Sequence, residues 1–287
     1  MNLLAPAKIN VGLRLLGRRD DGYHEIETFL HSLAWGDTVR VEPADGISLE
    51  VRSAPEAPRP QSVTEIPTDS SNLAWRAAEA VTKAAGLAGV SILLEKRIPA
   101  GSGLGGGSSD AAAVLKGTLQ LYGARLPSEE LSRLALKVGA DVPFFLVGGC
   151  ALAEGIGEKL TPVEPAGDTP VVLALPPVTV STQWAYRAAN CTLTREGHYR
   201  EYLLSNRGLR ELCSREDMSN DLQQVAVDAH PEIAAHLAAF EDSGAYFTSM
   251  AGSGSAVYGL FDSENDAVEA ARRMAAAGFC TVRTVLK

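Results

Sequence analysis

The sequence predicts an α+β protein built from two packed units, and three observations carry that prediction. The chain has 287 residues, about twice the ~150 of a typical domain. Short strands crowd its opening third, while the second half mixes helices with strands, the pattern of helices laid on one face of a sheet. Residues 162–170 hold Pro162, Pro165 and Pro170, a composition suited to a linker, so the units are expected at 1–165 and 166–287.

Residues 3–16 alternate Ile9, Val11, Leu13 and Leu15 with Lys8, Asn10, Gly12 and Arg14, which is strand periodicity. A turn at 18–22 leads to a second strand over 23–33, and Trp35-Gly36-Asp37 reads as another turn before a strand at 38–42. The proline-bearing stretch 53–71 is predicted to be a flexible exposed loop. Residues 72–85 place Leu73, Ala77, Ala80, Val81 and Ala84 on one helical face, with Gly86 beyond to stop the helix. A short strand at 90–94 precedes a glycine-dominated loop and then a helix over 110–122, with Asp110 in its first turn. Ser128, with Glu129 and Glu130, opens a further helix to Val138. Strands are expected at 144–147, 151–153, 171–175, 246–248, 256–261 and 281–285, and helices at 221–227, 231–239 and 266–277.

Composition narrows function. With 46% hydrophobic and 21% charged residues the chain is an ordinary globular protein. Its net charge of −9, from 26 Lys+Arg and 35 Asp+Glu, argues against nucleic acid or an anionic membrane surface as partner. The start lacks a signal-peptide pattern and no apolar run is long enough to span a bilayer, so the cytoplasm is the expected location. Cys150, Cys191, Cys213 and Cys280 lie far apart and read as small buried hydrophobes in a reducing compartment.

The chemistry gathers in Pro99-Ala100-Gly101-Ser102-Gly103-Leu104-Gly105-Gly106-Gly107-Ser108-Ser109-Asp110, where five of twelve residues are glycine and three are serine. Glycines let successive N–H groups converge on one anion, and a helix start adds unpaired amides and the positive end of its dipole. Phosphate is the natural occupant, with Ser108 or Ser109 free to bond its oxygens or a Mg²⁺ ion that the phosphates hold. Gly101, Gly103 and Gly106 formally match a dinucleotide fingerprint, but Lys96 to Pro99 separate them from the preceding strand. No Gly-Lys pair, H-R-D or D-F-G occurs, which excludes the two commonest kinase architectures. The cluster Met250-Ala251-Gly252-Ser253-Gly254-Ser255 taken alone reads as a hairpin connection. His230 and His236 are six residues apart and form no helical metal pair.

Taken in order, Pro6-Ala7-Lys8-Ile9-Asn10, the Pro99 to Asp110 loop and the Met250 to Ser255 cluster resemble the three motifs of the GHMP kinases. Gly22-Tyr23-His24-Glu25, Gly139-Ala140-Asp141-Val142-Pro143-Phe144-Phe145 and Ser219-Asn220-Asp221-Leu222 point to the branch acting on a cytidine diphosphate-linked sugar alcohol. That resemblance implies an N-terminal domain like ribosomal protein S5 domain 2 and a ferredoxin-like C-terminal domain, with both substrates in the cleft between them. It implies transfer of the γ-phosphate of ATP, with Mg²⁺, to the 2-hydroxyl of a cytidine-linked methylerythritol on the non-mevalonate route to isoprenoid precursors. Lys8 and Asp141 then take the phosphoryl-transfer centre, residues 99–109 the phosphates, and Asn72 and Lys96 the adenine side. Asn10, Tyr23, His24 and Tyr186 take the substrate, with Tyr186 stacked on the cytosine. A different alcohol such as homoserine or mevalonate, an NAD-dependent oxidoreductase and a non-catalytic nucleotide sensor stay open as alternatives, as does the assembly, monomer or homodimer.

Overall fold

The computed structural model describes residues 1–58, 66–164, 166–189, 197–204 and 208–287. In chain order the elements are β1 (Asn2–Arg18), β2 (His24–Ala44), β3 (Ile47–Ser53), α1 (Leu73–Ala85), β4 (Gly89–Lys96), α2 (Gly106–Leu121), α3 (Ser128–Val138), α4 (Val142–Val147), β5 (Cys150–Gly155) and β6 (Lys159–Val163). They continue as β7 (Pro170–Ala174), α5 (Thr182–Ala188), α6 (Tyr199–Leu204), α7 (Leu209–Cys213), α8 (Gln223–Ala229), α9 (Pro231–Glu241), β8 (Phe247–Met250), β9 (Val257–Leu260), α10 (Glu264–Ala276) and β10 (Thr281–Val285).

Two sheets result. The first runs β3-β4-β2-β5-β6 with β1 paired antiparallel along β2, and only β3 and β4 are parallel, joined through α1. The second runs β10-β7-β9-β8, the antiparallel order of a ferredoxin-like unit. Leu30, Val39, Val41, Ile92 and Leu94 bury one face of the first sheet under α1 to α4. Its other face, Ala7, Ile9, Val11, Phe29 and Leu33, packs on Val171 and Leu173 of β7 together with Tyr258 and Leu260 of β9. Val172 and Ala174 point the opposite way, toward Phe240 of α9 and Ala270 and Met274 of α10. The strand is buried on both faces, which is why it reads as an unbroken apolar run rather than an alternation. Backbone bridges Leu13–Asn220 and Leu33–Leu286 tie the second unit to strands of the first.

Three sequence expectations change. The turn at 35–37 is absent, because β2 passes straight through it. The irregularity falls on the register instead, which shifts between Pro6 and Lys8, and a Cβ on Gly36 would lie 2.1 Å from Ala5 O, so this glycine serves close strand approach. Residues 144–147 belong to the short helix α4, with Asp141 as its N-cap residue and Pro143 in its first turn, and not to a strand. A four-residue apolar run carries no periodicity to separate the two. Helix α2 begins at Gly106, three residues before Ser109, so Asp110 lies in its second turn and the first turn has no acid.

Strands β3 and β6 and helices α5 to α7 had no sequence expectation. Part of the 53–71 loop, and Cys191, fall outside the described residues, while Cys150 and Cys213 are buried and Cys280 is partly so. Among the described residues, no helix is long and apolar enough to cross a membrane.

Candidate active site

A cavity of about 1260 Å³ opens between the glycine loop, the middle and end of β1, the start of β2, and the β8–β9 connection. Gly101, Gly103 and Gly105 adopt φ of +67°, +76° and +75°, a region closed to most side chains. Two of them are also packed against backbone or ring. A Cβ on Gly103 would fall 2.0 Å from Ala251 O, and one on Gly105 would fall 2.8 Å from Phe145 Cζ. The two glycine-bearing segments therefore touch, and Ala256 N donates to Ser102 O to join them. The amides opening α2 have no intrahelical acceptor and front the cavity, so this end of the site suits an anion.

Pro99, Ala100, Gly101, Ser102, Gly103, Gly105, Gly106, Gly107 and Ser108 all line the cavity. Two residues of the predicted loop do not. Leu104 is buried in the core between the sheets, its carbonyl accepting from Lys8 N, and Ser109 faces the opposite side of α2 with its hydroxyl buried. Ser109 is thereby removed from contact with the cavity. The helix periodicity turns it about 100° from Ser108, away from the face that lines the cavity.

Lys8 projects from β1 into the middle of the cavity, 5% exposed. Its ammonium donates to Asn10 Oδ1 at 2.7 Å and lies 3.7 Å from Asp141 Oδ2, whose side chain is 39% exposed. Burial lowers the Lys8 pKa, and Asp141 acts to raise it again. Asn10 is held in turn, donating to Thr28 Oγ1, which donates to Gly12 O. Gly252 of the β8–β9 connection approaches the same ammonium, since a Cβ there would sit 3.1 Å from Lys8 Nζ.

At the other end of the cavity the His24 and Tyr186 rings lie 5.5 Å apart, with Tyr23 at the rim and 59% exposed. Burial, then the nearby Arg18, lowers the His24 pKa, so the imidazole is neutral at physiological pH. Burial, with Asp141 adding to it, raises the Tyr186 phenol and keeps it protonated. Asn72 and Lys96 line the remaining wall. Asn72 caps α1, its Oδ1 accepting from Ala74 N and its Nδ2 donating to Pro67 O. Lys96 donates to Asp37 Oδ2 and, at 2.5 Å, to Asp110 Oδ2.

Several residues that support the site had no sequence expectation as site residues. Asn220 donates from Nδ2 to Met250 O and Gly252 O and accepts from Leu222 N, which holds the third glycine segment against β1. Thr182 and Ser253 share a hydrogen bond of 2.9 Å across the second unit. Asp37, fully buried, accepts from Arg97 N and Ile98 N. A carboxylate inside an apolar stretch was the available signal for Asp37, because a buried acid needs partners. Among the described residues, no three His, Cys, Asp or Glu side chains converge as a metal set.

The chain matches the GHMP kinases N-terminal domain over residues 72–149 and the GHMP kinases C-terminal domain over 201–279. It is 42% identical over 279 residues to a 4-diphosphocytidyl-2-C-methyl-D-erythritol kinase of Chlorobaculum parvum, covering 94% of this chain and 92% of that protein. It is 41% identical to the protein of the same name from a Geobacter species, covering 94% and 93%. A solved 4-(cytidine 5'-diphospho)-2C-methyl-D-erythritol kinase superposes with a TM-score of 0.79 at 36% identity, covering 100% of this chain and 99% of the other. A homoserine kinase from Cytophaga hutchinsonii, at 18% identity and a TM-score of 0.71 over 100% of this chain and 94% of its own, shares the fold. With two-fifths of its residues identical over nearly its whole length, the chain belongs to the 4-diphosphocytidyl-2-C-methyl-D-erythritol kinases, a small-molecule kinase family of the GHMP kinase type.

Proposed function

We propose that this protein uses ATP to phosphorylate the 2-hydroxyl of 4-diphosphocytidyl-2-C-methyl-D-erythritol, a step toward isoprenoid precursors, in the cytoplasm. The observation that carries the reading is the Lys8–Asp141 pair, 3.7 Å apart, in one cavity between an amide-lined helix start and an aromatic end. The relatives' printed names supply the substrate. The units bounded at 1–165 and 166–287 contribute the phosphate loop and the Tyr186 wall respectively.

In this mechanism the cytosine stacks on Tyr186, His24 hydrogen-bonds the base and Tyr23 closes the rim, and Asn10 bonds the substrate near its reacting end. Asp141 accepts the hydroxyl proton as the alcohol oxygen attacks the γ-phosphorus, and the bridging oxygen leaves with ADP. Its exposure favours that task, since the carboxylate can be reached from the cavity. Lys8 offsets charge on the transferring group, and the glycine-loop amides hold the remaining phosphate oxygens. Asn72 and Lys96 form the nucleotide's far wall.

Mg²⁺ fits the donor set, because it binds mainly through nucleotide phosphates with few protein oxygens, and the cavity presents the Ser108 hydroxyl. Ser108 would hold it beside the phosphates, and it would supply neutralisation of phosphate charge. An ADP-release assay with the cytidine alcohol, homoserine and mevalonate in parallel tests the proposal. Turnover confined to the cytidine alcohol is expected; turnover with another alcohol alone would overturn it.

A further inference from the structure

Lys96 closes β4 at the entrance to the glycine loop, and its ammonium is spent on two acids from opposite sides. One is Asp37 of β2, whose second oxygen accepts Arg97 N at 2.5 Å and Ile98 N at 2.9 Å, the first two residues after the strand. The other is Asp110 of α2, one turn past the point where the loop becomes helix. Asp37, Lys96 and Asp110 are all more than nine-tenths buried. Together they bind the strand before the loop, the loop's first amides and the helix after it into one ring.

This cluster is not what stability alone favours. One ammonium already balances one carboxylate, and a second buried acid costs several kcal/mol of desolvation before any return. Asp110 bears that cost visibly, because its Oδ1 is buried with no hydrogen-bond partner among the described residues. An apolar residue at 110 would leave the Lys96–Asp37 pair neutral. The surplus charge also gives no attraction for an anionic nucleotide, so any service to the site must be geometric. The middle of the loop is held by Leu104 in the core and by Ser102 and Gly103 against the β8–β9 connection, while its two ends are where the ring acts.

We propose that Asp37 and Asp110 are positioning residues that, through Lys96, clasp the two ends of the phosphate loop and set the amides of residues 101–108 for nucleotide binding. The inference rests on the reading of this loop as the ATP site. It also assigns Lys96 a different duty from a free adenine ligand, two of its three N–H donors being committed.

Asp110→Leu isolates the effect, since it cuts the clasp yet leaves the Lys96–Asp37 pair balanced. The expected result is a melting temperature equal to or above the parent's, with ATP affinity weakened about 10-fold or more, as for a site displaced by a fraction of an ångström. Amide exchange over 99–108 is expected to speed up by about the same factor, while KM for the alcohol stays within about two-fold. Asp110→Asn, which keeps an acceptor for Lys96, should restore ATP affinity to within about three-fold of the parent. Lys96→Arg, which keeps the charge balance but alters the reach, should weaken ATP as Asp110→Leu does.

ATP binding and loop exchange unchanged in Asp110→Leu would overturn the clasp, as would equal weakening by Asp110→Leu and Asp110→Asn. A parent protein that binds ATP but phosphorylates no cytidine alcohol would overturn the proposed function, yet binding and exchange would still decide the clasp.

Discussion

Two lysines reach into the same cavity and meet carboxylates there under opposite terms. Lys8 has one acid at 3.7 Å, itself open to solvent, and an amide oxygen at 2.7 Å. Lys96 has two acids in direct hydrogen bonds and both are buried. Burial lowers Lys8 beyond what Asp141 restores, whereas at Lys96 the pull of Asp110 and Asp37 exceeds the burial that opposes it and its pKa is raised. Asp110 is driven up by its own burial, against Lys96, to about 7. The same two residue types thus make a loose pair whose acid is open to solvent and a tightly bonded cluster whose acids are both buried. On the proposed reading, what separates a reacting centre from a brace is the exposure of the acid, not charge.

The comparison breaks first at Asp141. Asp141→Ala is expected to lower kcat by roughly 10²- to 10⁴-fold, the range of a lost proton acceptor, while ATP titrations and melting curves match the parent. A parent-like kcat would remove Asp141 from the reacting centre. Lys96→Met should act on the fold instead, since stranding two buried acids costs about 3–5 kcal/mol, readable as a shift in the urea midpoint. No shift would mean that the cluster is not a brace.

His31 sharpens the comparison, being a buried titratable side chain close to Cys150 Sγ at 3.2 Å and set without a countercharge, its pKa pushed down to about 4 by burial. The unfolded chain, with an ordinary histidine, binds more protons between these values. Stability is therefore full above pH 6.5 and falls by about 3 kcal/mol as the pH drops toward 4. His31→Asn should flatten that slope in denaturation series at pH 4.5, 5.5 and 7, and an unchanged slope would place the protons elsewhere. Asp110 contributes with the opposite sign, losing stability as pH rises from the ordinary carboxylate range toward 7, so the series is best run in both backgrounds. The smallest effect is expected from Tyr186→Ala, where a lost stacking surface should raise KM for the cytidine alcohol by the equivalent of about 1–3 kcal/mol with kcat nearly preserved. A change confined to kcat would contradict the stacking role.

How much was legible follows from the range of each interaction. The glycine loop could be read because its signal is local, five glycines within twelve residues running into a helix. Strand β1 could be read from its alternation, and β7 from its apolar run. The start of α2 was misjudged because glycines hide a helix that begins on them, its first turn being stabilised by what lies beyond rather than by propensity. Helix α4 was misjudged because its residues are chosen by burial against α2, not by any period of their own. Ser109 does not line the cavity beside Ser108, because a step of about 100° per residue carries its side chain to a buried face of the helix. Asp37, Asp110 and Asn220 escaped because what they bind is 14 to 61 residues away.

By itself the sequence determined the class of fold, the glycine loop running into a helix and, through three ordered motifs, the kinase type. These depend on backbone freedom and periodicity, which a short window of residues dictates. Only the tertiary structure decided that residues 8 and 141 stand 3.7 Å apart, that Lys96 is enclosed by two acids, and that the 250–255 cluster presses on the glycine loop. Electrostatics and burial act through space, and the side chains that set them arrive from strands and helices whose distance along the chain carries no record of where they meet.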